Sequence, residues 1–204
     1  SNSGTSWLTF TDGVSTVAST TVTGLTNGTA YIFRVRAQNA AGLSTPSSSS
    51  SSVTPRTTPG APTSLKGTRA DNSVTLSWLA PSNNGGASIT DYAVEYSSNS
   101  GTSWTVFADG TSSLTSTTVT GLTNGTAYIF RVRAQNSEGY SPYSTQSASV
   151  TPSTTAVAPT SLTATYSDAQ VSLSWTAPAD NGGASVTDYA VQYSSNGGTT
   201  WTTF

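Results

Sequence analysis

The 204 residues carry only 8% charged side chains, nine acidic and seven basic, for a formal net charge of −2 at pH 7. So sparse a set excludes the clustered Lys and Arg that a nucleic-acid backbone or an anionic membrane requires. Cysteine, histidine and methionine are absent, which removes disulfides, the usual nucleophile–base pairs and most soft metal ligands together.

The first element, residues 1–10, recurs as residues 98–107 and 195–204, and residues 19–39 return letter for letter as 116–136, an offset of 97. The same offset places Trp7 on Trp104 and Trp201, Pro62 on Pro159, Trp78 on Trp175 and Tyr92 on Tyr189 without a gap. A fixed period of this length marks a tandem array of whole domains, each large enough to bury a core without disulfides. In the first copy, residues 47–52 are six serines where the second copy has Ser-Thr-Gln-Ser-Ala-Ser. Polyserine is a poor strand former and commonly a linker. Since Val53-Thr54-Pro55 follows in register, the run is read as a degraded last strand or an O-glycosylated edge.

In the middle copy, Ser73–Leu79 alternates Val74, Leu76 and Trp78 with polar neighbours, the period-two signal of a half-buried strand. Residues 81–86 are dense in turn formers, and 89–97 alternates again through Tyr92, Val94 and Tyr96. Residues 99–101 form a hairpin turn into a short strand at 103–107 that carries Trp104 and Phe107. After the Asp109-Gly110 turn, 113–120 is β-branched. Residues 126–135 set Tyr128, Phe130 and Val132 on one face and Ile129, Arg131 and Arg133 on the other. Residues 136–142 are a loop, and 145–151 a last, weaker strand. These strands, without helical periodicity, predict an all-β, antiparallel sandwich of seven strands per unit.

The tryptophan of Ser73–Leu79, the Tyr92-x-Val94-x-Tyr96 strand, and Gly121, Leu122, Gly125 and Tyr128 together resemble the fibronectin type III family, with its immunoglobulin-like sandwich. So do the following Arg-Val-Arg-Ala-Gln-Asn and the closing Val-Thr-Pro. Leu122 and Tyr128 match the tyrosine corner, whose phenol bonds back to the preceding loop. Residues 84–92 and 181–189 resemble the bacterial branch of the family. The resemblance implies that residues 1–55 are the C-terminal half of one repeat, 56–152 a complete repeat with its leading linker, and 153–204 the N-terminal half of a third. The linkers, 56–61 and 153–158, are short and contain Thr and Pro, giving a semi-rigid joint. The array is expected to be an extended rod, each repeat adding about 30–35 Å.

No catalytic residue is predicted. The serines have no activating base, Lys66 is the only lysine, and Glu95 becomes Gln192 in the next copy. No metal site or cofactor is predicted either, because Asp109-Gly110 and Asp180-Asn181-Gly182 are turn sequences and a calcium site wants six to eight oxygens. Asn27-Gly-Thr and Asn124-Gly-Thr match the N-glycosylation pattern but are read as turns. Arg34/Arg36 and Arg131/Arg133 are expected to spread their stems over the sheet and meet carboxylates such as Glu95.

The exposed aromatics are the one candidate contact surface: Trp7, Trp104 and Trp201, with Phe107, Tyr140 and Tyr143. Trp104 either packs across its strand against Tyr96 or Phe107, or offers a flat platform to a sugar ring or a neighbouring chain. Tyr140 and Tyr143 lie at the loop that carries integrin recognition in some animal relatives. Arg-Gly-Asp is absent there, so integrin binding is not expected.

Two functions stay open. One is a non-enzymatic structural array, an extended stalk or fibre of an extracellular or cell-surface protein, self-associating into filaments. The other is a glycan-binding or adhesion accessory of a secreted polysaccharide-degrading enzyme or adhesin. The expected partners are neighbouring repeats, other copies of the chain, and polysaccharide, with no nucleic acid and no membrane insertion. The ends in mid-repeat are read as a window from a longer array. The rival expectation is that half-repeats of different molecules complete each other, but residues 1–10 and 195–204 duplicate the same strand.

Overall fold

A computed structural model describes residues 6–204; the start of the segment 1–10 lies outside the described residues. The first repeat contributes β1 (Gln38–Asn39) and β2 (Gly42–Leu43). The middle repeat holds β3 (Thr63–Ala70), β4 (Ser73–Leu79), β5 (Asp91–Ser97), β6 (Thr105–Phe107), β7 (Ser116–Thr120), β8 (Ile129–Asn136) and β9 (Gly139–Tyr140). The third repeat contributes β10 (Thr160–Ser167), β11 (Gln170–Thr176), β12 (Gln192–Tyr193) and β13 (Thr202–Thr203). All described strand pairs are antiparallel.

In the middle repeat a three-stranded sheet, β3-β4-β7, faces a four-stranded sheet, β6-β5-β8-β9. The alternation along β4 turns Val74, Leu76 and Trp78 inward, and β8 turns Phe130, Val132 and Ala134 inward to meet them. Leu65, Tyr92, Val94, Val119, Leu122 and Tyr128 complete the core. Each large apolar side chain buried here contributes roughly 1.5–3 kcal/mol of transfer free energy. Trp78 meets Tyr92 edge-on at 5.3 Å, and the third repeat keeps that pair as Trp175–Tyr189 at 5.2 Å. The Tyr128 hydroxyl accepts from Thr123 N at 3.1 Å, and Tyr31 does the same for Thr26 at 3.0 Å, so the tyrosine corner is built twice.

The partial repeats share the local sequence but not the burial. Val74 is fully buried whereas Val171 is 61% exposed, and Val132 is fully buried whereas Val35 is 71% exposed. Hairpins form from local turn and pairing preferences, but a sandwich core needs both sheets.

Two features depart from the sequence expectation. The strand β3 carries little alternation, since Leu65 is its only buried position among Lys66, Thr68 and Arg69. The last strand, expected at 145–151, does not form a regular ladder on β8. Instead Ser141, Ser144 and Ser147, three residues apart, donate their amides to the carbonyls of Ala134, Val132 and Phe130. Their hydroxyls accept from the amides of those same three residues at 2.9, 3.2 and 3.1 Å. Each hydroxyl then donates to the carbonyl of the next residue. Three residues of the last segment thus span two of β8, with a serine oxygen supplying the acceptor that the mismatched backbone cannot. The first repeat repeats the pattern with Ser44, Ser47 and Ser50 on Ala37, Val35 and Phe33. The polyserine run is therefore a stitched last strand, two of its serines holding a third-residue phase.

Candidate functional site

The outer face of the four-stranded sheet collects most of the aromatic residues singled out from sequence. There β8 presents Arg131 and Arg133, whose alternation with the buried Phe130, Val132 and Ala134 points them away from the core. Trp104, just before β6, lies with its ring 4.2 Å from the Arg131 guanidinium. Tyr143 lies on the other flank, 4.0 Å from Arg131 and 4.9 Å from Arg133, and Tyr140 lies 4.0 Å from Arg133. The result is a stack in the order Trp104, Arg131, Tyr143, Arg133, Tyr140. Cation–π contacts of this kind are worth about 0.5–1 kcal/mol each when exposed and more when desolvated. Arg133 Nε is buried without a hydrogen-bond acceptor.

Glu95 on β5 anchors the stack. Its carboxylate accepts from Arg131 Nε at 2.8 Å and pairs with the second guanidinium nitrogen at 2.6 Å, while the Tyr143 hydroxyl donates to its other oxygen. Burial alone would raise the Glu95 carboxyl; the Tyr143 hydroxyl and the Arg131 and Arg133 charges outweigh it and hold it below its ordinary value. Burial and the neighbouring Glu95 push the Tyr143 phenol up. A carboxyl depressed in the folded state adds stability above its unfolded pKa and loses it as pH falls through the folded value. Acidifying from about pH 5 to pH 3, across the ordinary glutamate value of 4.5, is therefore expected to lower the urea midpoint. Glu95→Gln should flatten that slope, and equal slopes in both proteins would refute the assignment.

Trp7 makes the equivalent contact, 4.0 Å from Arg34, so the tryptophan–arginine pair of the middle repeat recurs in the first. Trp201 is 60% exposed, and the position that matches Arg131 lies beyond residue 204. Phe107 does not join the stack: it lies on the opposite face of β6 and packs against the core. Tyr96 also faces inward, edge-on to Tyr128 at 5.9 Å. The strand partners considered for Trp104 are thus core residues, and Arg131 covers it instead. Leu43 and Pro46 stand where the middle repeat has Tyr140 and Tyr143, so only the Trp–Arg pair is common to both copies.

Asn124 is engaged by the turn between β3 and β4, its Oδ1 accepting from Asn72 N at 2.9 Å and its Nδ2 donating to Asp71 at 2.7 Å. Among the described residues no three His, Cys, Asp or Glu side chains gather where a metal ion could be held. No helix among them is long and apolar enough to cross a membrane. Residues 83–86 and 180–183, read from sequence only as turns, also stand at the junctions between repeats, which sequence reasoning did not assign.

The profile of the Fibronectin type III domain matches residues 3–54 and 60–150. Exoglucanase B of Cellulomonas fimi is 34% identical over 194 residues, covering 88% of this chain and 17% of that protein. Titin of Drosophila melanogaster is 29% identical over 208 residues, 96% of this chain and 1% of titin. The chain thus spans less than a fifth of the length of either relative. Domains d3-d4 of the rat CD45 extracellular region superpose with a TM-score of 0.53 at 20% identity, over 72% of this chain and 76% of that one, a likeness of fold alone.

Proposed function

The chain belongs to the fibronectin type III family, and from that premise we propose that it is a non-catalytic structural array, an extended stalk of an extracellular or cell-surface protein. The observation that carries this reading is the use to which the outer aromatic residues are put. Trp104, Tyr140 and Tyr143 hold guanidinium groups of their own repeat against their ring faces, and a ring face so covered is not available to stack on a sugar. The titratable residues of the stack are spent on one another, since Glu95 neutralises Arg131 and receives the Tyr143 hydroxyl. The partners of such an array are its own repeats.

A second reading is favoured by the likeness to Exoglucanase B: an accessory module of a polysaccharide-degrading enzyme, touching glycan through Trp104 and its copies. Retention on cellulose, chitin and peptidoglycan particles separates the two. The array is expected to pass through all three unretained. Clear retention, lost in Trp104→Ala while the unfolding midpoint stays near the parent's, would establish the glycan-binding reading in its place.

A further inference from the structure

The two junctions between repeats are built from equivalent positions, 97 residues apart. At the first, Thr57 N donates to Gly85 O and Gly60 N to Asn83 O, so the linker lies along the loop that follows β4. At the second, Thr154 N donates to Gly182 O and Val157 N to Asp180 O. On the other side, the Asn124-Gly125 turn before β8, and its copy Asn27-Gly28, grip the end of their own repeats: Gly28 N donates to Pro55 O and Gly125 N to Pro152 O. The turn and the loop then meet backbone to backbone. A Cβ on Gly86 would sit 2.2 Å from Gly28 N, and one on Gly183 would sit 2.3 Å from Gly125 N. A Cβ on Gly85 would sit 2.1 Å from Thr57 O, and one on Gly182 would sit 2.3 Å from Thr154 O. All four glycines also have positive φ, between 68° and 82°. Asn136, buried at the end of β8, ties the linker to the loop by donating from Nδ2 to both Thr57 O and Asn84 O at 2.8 Å.

We propose that the Asn-Gly-Gly loop of each repeat is a socket for the Asn-Gly turn of the repeat before it, locking successive repeats into one directional body. The surface is heterologous, a turn on one repeat entering a loop on the next, so it propagates head to tail. The glycines in contact recur at the 97-residue offset, so the same backbone approach repeats at both junctions. The partner that fits the socket is another repeat of this kind. A side chain at the contact excludes it, since backbone atoms on both sides leave nothing flexible to yield.

The chain has no cysteine, so paired labels can be placed at exposed Ser113 and Ser172 through Ser113→Cys and Ser172→Cys, and their separation read by double electron–electron resonance on the full 204 residues. A single narrow distance peak is expected, and Gly183→Ala should abolish it. Gly197→Ala is the control, with φ of 69° and nothing within 4 Å of its Cβ; it strains a turn equally and should leave the peak intact. Ser48→Cys with Ser113→Cys, compared with and without Gly86→Ala, reads the other junction in the complete repeat. Variants are compared when their circular dichroism matches the parent. A broad distribution in the unsubstituted chain, or a narrow peak surviving both Gly183→Ala and Gly86→Ala, would overturn the socket. The proposal is independent of the stalk and glycan readings, which particle retention decides and label distances do not.

Discussion

Replacing Ser144 and Ser147 together by alanine is expected to lower the unfolding free energy of the middle repeat by about 2–6 kcal/mol, since each change strands a buried amide at about 1–3 kcal/mol. The amides at risk belong to Val132 and Phe130, residues with no exposed surface, and each loses the hydroxyl that accepts from it. Against a typical domain stability of about 5–15 kcal/mol, the double variant sits close to the unfolding threshold. Ser149→Ala, on the exposed side of the same segment, should leave the urea midpoint unchanged. The corresponding double change at Ser47 and Ser50 should cost less, because Val35 is 71% exposed and water can replace the lost acceptor. If Ser144→Ala with Ser147→Ala shifts the midpoint no more than Ser149→Ala does, the hydroxyls are incidental to the last strand.

The second large effect uses the repeat as its own control. Leu76 and Leu173 occupy one position in identical local sequence, Val-x-Leu-Ser-Trp, yet Leu76 is fully buried and Leu173 is 39% exposed. Leu76→Ala removes a core side chain and leaves a cavity, at about 2–5 kcal/mol. Leu173→Ala removes one that is already partly wet and whose strand β11 pairs, among the described residues, with β10 alone, so its effect on the main unfolding transition should fall within about 0.5 kcal/mol. Calorimetry or urea titration of the two single variants decides it. Equal shifts would mean that the third repeat is folded as tightly as the middle one.

Much of the sandwich was legible because β4 and β8 alternate cleanly, and period two is a signal that needs no partner to be seen. Val74, Leu76, Trp78, Phe130 and Val132 announce their inward face by spacing alone. Strand β3 was not legible, since one buried leucine among polar residues gives no period. A weak last strand was legible but not its form, for a related reason: its serines follow a period of three, which means nothing until its neighbour on β8 is known. For the stack, the sequence showed that Trp104 and Arg131 recur in step but not that they touch, because the chain between them folds through β6 and β7. The junction glycines were recognised as turn formers, which they are. That two such turns from different repeats meet is a property of the packed array.

The stitched last segment bears on how a chain of near-identical repeats stays single. Neighbours at high local concentration invite strand exchange and sheet-to-sheet accretion, and an unguarded rim is where either begins. Here every rim of the middle repeat is spoiled. The strand β3 breaks its register between Thr63 and Lys66 and turns through Ser64 at a φ of 57°. The outer strands β6 and β7 are three and five residues long. The fourth rim, beyond β8, is closed by a segment whose three-residue phase offers no period-two row of amides for a foreign strand to match. Repeats this alike can therefore be strung together in number and still decline one another's company, except end on.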